Sequence, residues 1–103
     1  MRNIPYVGVS LTDLTPAIAR RLNVSAKNGV VVRSVTRGSP ADTAGLQPRD
    51  VITAIDGTTV VDQSTFARLI DSHHPGDAVV ITTLRGGQTL QTQVTLAVSP
   101  PSS

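Results

Sequence analysis

The sequence predicts a single α+β domain: a small, partly open β-barrel or sandwich of five to six strands, capped by two or three short helices. Three observations predict it. The chain has 103 residues, enough for one core but too few for two that would each be stable. Valine and threonine dominate with fourteen and thirteen copies, against single aromatics Tyr6 and Phe66, and such β-branched side chains suit a pleated, half-buried surface. All seven acidic residues are aspartates, which favour caps and turns over helix interiors.

The elements follow in order. Tyr6-Val7-Gly8-Val9-Ser10-Leu11 alternates apolar with small or polar residues and reads as a short strand containing a glycine. Thr15-Pro16 opens a helix, threonine as N-cap and proline at the first helical position, which Asn23 ends. After the turn signal Asn28-Gly29, the run Val30 to Val35 reads as a central strand. Gly38-Ser39-Pro40 starts a second short helix that Gly45 stops. Val51 to Ile55 is a strand closed by the hairpin signal Asp56-Gly57, with Thr59-Val60-Val61 as the return.

Asp62 or Ser64 caps a third helix. In it Phe66, Leu69, Ile70 and His73 fall at i, i+3, i+4 and i+7, one amphipathic face, and Pro75-Gly76 ends it. Ala78 to Leu84 and Gln88 to Val98 form the last hairpin, with Leu90, Thr92, Val94, Leu96 and Val98 sharing one face.

Composition excludes several functions. Without cysteine there is no disulfide scaffold, thiolate nucleophile or cysteine-ligated metal. The longest apolar runs fall far short of the roughly 20 residues that span a bilayer, so direct membrane insertion is not expected. No signal-peptide pattern is present, which fits either a cytosolic protein or a module of a longer exported chain. Net charge is +2, from scattered arginines; without a basic cluster or stacking aromatics, nucleic-acid binding is not expected. His73 and His74 are adjacent, point in different directions and make a poor metal site. No serine sits in a nucleophile-elbow pattern, and no glycine-rich phosphate loop follows a strand. The expectation is a domain with no catalytic residues, no cofactor and no metal.

Gly8 stands out. A glycine inside a strand weakens pairing unless the backbone needs an unusual angle or a close approach. Main-chain N–H groups around such a residue can converge on a carboxylate, with an extended peptide pairing beside the next strand. A simple β-bulge is the alternative, and the segment alone leaves both open.

Four segments together resemble a PDZ domain: Tyr6-Val7-Gly8-Val9; Gly29-Val30-Val31-Val32; Gly38-Ser39-Pro40-Ala41 followed by Ala44-Gly45-Leu46; and Asp50-Val51-Ile52-Thr53-Ala54-Ile55-Asp56-Gly57. The resemblance is greatest to the bacterial type that follows the protease domain in HtrA/Deg-family serine proteases. It covers residues 6–98, leaving 1–5 as an N-terminal linker and 99–103 as a C-terminal tail. The SPA…AGL…DVI…I-D-G combination is highly specific. The order of segments resembles the circularly permuted bacterial form, which begins at the carboxylate-binding loop. Arg49 departs from the pattern, standing where the family usually has glycine.

The resemblance implies a carboxylate-binding loop at Tyr6, Val7, Gly8 and Val9, and a peptide-pairing strand at Val9, Ser10 and Leu11. It further implies a pocket from Val7, Val9, Leu11, Phe66 and Leu69, with Thr65 and His73 at its rim; Ile70 is expected in the core. The implied function is capture of polypeptide C-termini with an aliphatic last residue, or of extended unfolded segments, for an attached protease domain outside the cytoplasm. Two alternatives are a packing module with a closed groove, and a PDZ domain from another host such as a site-two-type protease.

Overall fold

The computed structural model describes residues 5–98; residues 1–4 of the expected linker and the expected tail 99–103 lie outside them. The chain runs β1 (Pro5–Tyr6), β2 (Val9–Asp13), α1 (Pro16–Leu22), β3 (Val30–Val35), α2 (Pro40–Ala44), β4 (Val51–Ile55), β5 (Thr58–Thr59), α3 (Gln63–Asp71), β6 (Ala78–Arg85), β7 (Gln88–Thr95) and β8 (Ala97–Val98). Strands β2-β3-β4-β6-β7 form an open antiparallel sheet with β5 added beside β4, and β1 pairs separately with β8. This is the α+β architecture expected, with an unclosed six-stranded sheet and three short helices.

Local chemistry sets the helix ends. Thr15 Oγ1 accepts the Ile18 N–H at 3.2 Å, Ser39 Oγ accepts that of Asp42 at 3.2 Å, and Asp62 Oδ1 accepts that of Thr65 at 2.8 Å. Pro16 and Pro40 occupy first-turn positions, where the missing N–H is harmless. Asn23 and Gly45 close α1 and α2 in the left-handed region. Of the two caps expected for α3, Asp62 is the one used.

The core lies between the sheet and α3. Val30, Val32, Ile52, Ile55, Val79, Ile81, Val94 and Leu96 come from the strands, Phe66 and Ile70 from α3, Ala41 from α2 and Leu46 from just beyond it. A charged pair is set in beside it. Asp50, 1% exposed, takes two hydrogen bonds from Arg85 at 2.8 Å each and one from the Gln47 N–H. Arg85 also donates to the Gly45 carbonyl, and the Asp50 carboxylate raises the guanidinium's pKa above its ordinary value. Arg85 is itself solvent-accessible, so the pair is buried on one side only, and removing Arg85 would leave the buried Asp50 charge without its main compensation. Arg49, in the turn that Asp50 closes, has φ +77°. Glycine meets that conformation without strain, whereas here a side chain is carried in it.

Three expected strands are corrected, the smallest change being the return expected at Thr59–Val61, which is Thr58–Thr59. The run from Tyr6 to Leu11 is split, because Gly8 at φ +89° turns the backbone: Pro5 and Tyr6 pair with Val98 and Ala97, whereas Val9 to Asp13 pair with β3. Pro5, assigned to the linker from the sequence, is therefore a strand residue. The arm expected from Gln88 to Val98 ends at Thr95. There the Leu96 N–H donates to Asp77 and the Leu96 carbonyl accepts the Gly76 N–H, so the chain leaves β6 and crosses to β1. Val98 consequently leaves the inward face and is 54% exposed.

Candidate functional site

Between β2 and α3 lies a groove of about 480 Å³. Its strand wall is Pro5, Tyr6, Val7, Gly8, Val9 and Leu11. Alternation along β2 puts Val9 and Leu11 on the groove side, while Ser10 between them is exposed; Val7 reaches the groove from the loop before β2. Among the described residues β2 pairs only with β3, so its other edge is open.

The loop that enters β2 is tied through its carbonyls. The Val7 carbonyl accepts the Ala41 N–H at 2.9 Å, and the Gly8 carbonyl accepts the Thr36 N–H at 2.8 Å and the Ser39 hydroxyl at 3.5 Å. Neither the Val7 nor the Gly8 N–H donates to an acceptor among the described residues. The Ser39-Pro40-Ala41 segment thus anchors the loop by its acceptors and leaves two donors beside an apolar pocket. A Cβ on Gly8 would land on the Ser39 side chain and approach the Tyr6 hydroxyl. Glycine is required here both for its positive φ and for the close approach.

The helix wall is Gln63, Ser64, Phe66, Ala67, Ile70 and Asp71, which corrects the register read from the sequence. Leu69 packs half-buried against the core and does not line the groove. The expected rim residues are turned away as well. Thr65 bonds to Asp62 through both its N–H and its hydroxyl. His73 Nδ1–H donates to the Leu69 carbonyl at 2.8 Å, and Nε2 lies 3.3 Å from Asp56 Oδ2. Thr65, Leu69 and His73 make a stripe four residues apart that runs to the β4–β5 turn. Ile70, expected in the core, is in the core and on the groove wall together.

The structure thus brings Tyr6, Val7, Gly8, Val9, Leu11 and Phe66 to one groove and separates Leu69, Thr65 and His73 from it. The positions missed from the sequence are Pro5, Gln63, Ser64, Ala67, Ile70 and Asp71; of these Gln63, Ala67, Ile70 and Asp71 fall with Phe66 on a stripe at i, i+3, i+4, i+7 and i+8 from Gln63. Choosing Asp62 as the cap and following the small Ala67 would have exposed that stripe. Asp62 itself has its pKa lowered, chiefly by the backbone hydrogen bond from Thr65 and then by the Thr65 hydroxyl.

Such a groove has recognisable relatives. The chain is 34% identical over 95 residues to a protein named "Probable periplasmic serine endoprotease DegP-like" from Brucella suis, covering 92% of this chain and 18% of that one. A protein of the same name from Rhizobium meliloti is 32% identical, at 92% and 19% coverage. The chain therefore spans about a fifth of the length of these curated relatives. Among solved structures, HtrA-type protease AlgW with decapeptide superposes with a TM-score of 0.86 at 32% identity, covering 97% of this chain and 31% of that one. The HtrA3 PDZ domain bound to a phage-derived ligand, FGRWV, gives 0.82 at 20% identity, with 95% and 89% covered, and shares the fold. The family model described as PDZ domain matches residues 5–96, and the chain belongs to the PDZ domain family.

Proposed function

We propose that this domain captures a polypeptide C-terminus, or an extended segment, by adding it as a strand to the open edge of β2, and that it serves an HtrA-like serine protease as its recognition and regulatory module. One observation carries the reading: two backbone donors that find no acceptor among the described residues, Val7 and Gly8, stand at the mouth of an apolar groove beside a strand edge that the described residues leave open. The donors suit a terminal carboxylate, main-chain pairing to Val9, Ser10 and Leu11 supplies affinity, and alternate ligand side chains enter the groove. Val7, Val9, Phe66 and Ile70 would receive an aliphatic last residue, with Leu11 and Ala67 further along.

The similarity to AlgW, solved with a decapeptide, supports peptide as the ligand class. The open groove favours capture over the closed packing module. The relatives' names support an attached protease domain and an extracytoplasmic location, and in this reading the domain from Tyr6 to Val98, extended by Pro5, carries recognition while catalysis belongs to the attached unit.

Calorimetry with an aliphatic-ended peptide as free acid and as amide tests the assignment. The acid should bind more tightly by about 1.5–3 kcal/mol, the range for hydrogen bonds to a charged group. Equal affinities would remove the carboxylate from the site.

A further inference from the structure

The groove-facing row of β2 does not stop at Leu11. Alternate strand residues share a face, so Val9 and Leu11 are followed by Asp13. Asp13 Oδ1 accepts the Gln63 N–H at 2.9 Å across fifty residues of sequence, so its carboxylate sits just beyond the lining, at the end of the groove formed by Leu11, Gln63 and Ser64. Among the described residues Asp13 has no cation within salt-bridge distance, and Oδ2 takes no hydrogen bond. On α3, Asp62 caps the helix, Arg68 lies further along and acts on Asp62, and Asp71 lines the groove, the one charged residue to do so among the described residues.

Resting on the strand-addition reading above, we infer that Asp13 is a specificity-determining residue, selecting ligands with lysine or arginine at the fifth position from the C-terminus. The count follows from strand geometry. Groove-facing ligand side chains recur every second residue, so if the last meets the Val7–Val9 pocket, the third meets Leu11 and the fifth meets Asp13. A basic side chain there supplies a counter-charge that no described residue provides, and an acidic one meets Asp13 across a groove that no described cation lines. Asp13 is exposed, so the discrimination is modest and sensitive to salt.

The test uses four valine-ended heptapeptides with free C-termini. Three carry lysine, alanine or glutamate at the fifth residue from the end; the fourth carries lysine at the sixth, which points away from the groove. Each is titrated calorimetrically into the wild type and into Asp13→Asn, which keeps an oxygen for the Gln63 N–H. In the wild type the fifth-position lysine peptide should bind about fivefold more tightly than the glutamate peptide, a gap that shrinks in high salt. In Asp13→Asn that ratio should fall towards one with the alanine peptide unchanged. Asp13→Ser gives the same comparison should the asparagine variant melt early. A lysine-to-glutamate ratio equal in wild type and variant, or lysine equally effective at the sixth position, overturns the role of Asp13 while leaving strand addition standing. No binding by any of the four to the wild type overturns both.

Discussion

The two walls of the groove are held in different ways. The strand wall is fixed by backbone: β2 is paired with β3 over five residues, and the loop before it is tied through the Val7 and Gly8 carbonyls. The helix wall is fixed by side chains: Phe66 and Ile70 in the core, Asp13 holding the Gln63 N–H at one end, and His73 reaching Asp56 at the other. Backbone pairing sets the position of every residue at once, since a slip of one would turn all side chains to the opposite face. A helix held by separate contacts can be altered one contact at a time. The strand wall should therefore lose folding and binding together, whereas the helix wall should allow them to be separated.

The largest effect is expected where the helix wall enters the core. Ile70→Ala should cost about 3 kcal/mol by leaving a cavity, measured by urea unfolding, and should weaken peptide binding in the molecules still folded. Next comes the strand wall. Gly8→Ala combines a positive-φ penalty with a Cβ directed into Ser39, so it should lose roughly 2 kcal/mol together with binding; normal affinity would show that the loop tolerates displacement. Leu69→Glu should separate the two properties. The half-buried side chain packs on the core away from the groove, so stability should fall by about 1–2 kcal/mol while the folded domain keeps its affinity. A loss of affinity without a loss of stability would return Leu69 to the groove.

The smallest effect concerns the helix cap. Asp62 has its pKa lowered below its ordinary value of 3.8 by the Thr65 donors. A depressed folded-state pKa contributes stability above 3.8 that is lost as pH falls through the folded value. The stability difference between wild type and Asp62→Asn should accordingly be flat at neutral pH and diminish below pH 3.8. A difference that grows on acidification would contradict the cap.

The walls also differ in how far the sequence discloses them. Period-two alternation identifies Val7, Val9 and Leu11 as neighbours on one face; all three line the groove, though Val7 does so from the turn at Gly8 and not as a strand residue. For α3 the apolar residues Phe66, Leu69 and Ile70 satisfy two overlapping stripes, one continuing to His73 and the other starting from Gln63. Hydrophobicity does not choose between them, because an apolar stripe wider than about 100° includes both. The choice comes from Asp13 and Asp56, partners far along the chain that no local pattern names. Caps at Thr15, Ser39 and Gly45 were legible because each acts within three or four residues. The break at Leu96 was not, since hydrogen bonds to Gly76 and Asp77 cause it.

The pairing of β1 with β8 has a mechanical consequence. Pro5 faces Val98 and Tyr6 faces Ala97, so the two ends of the described chain leave side by side. A pull that separates them loads the rungs one after another, in the manner of a zipper, instead of shearing both together. Once these two rungs part, the residues that take the tension on the N-terminal side are Val7 and Gly8. Force applied through flanking chain would thus reach the glycine loop before it reached β3 or β4, making the loop the first part of the sheet's edge to feel strain.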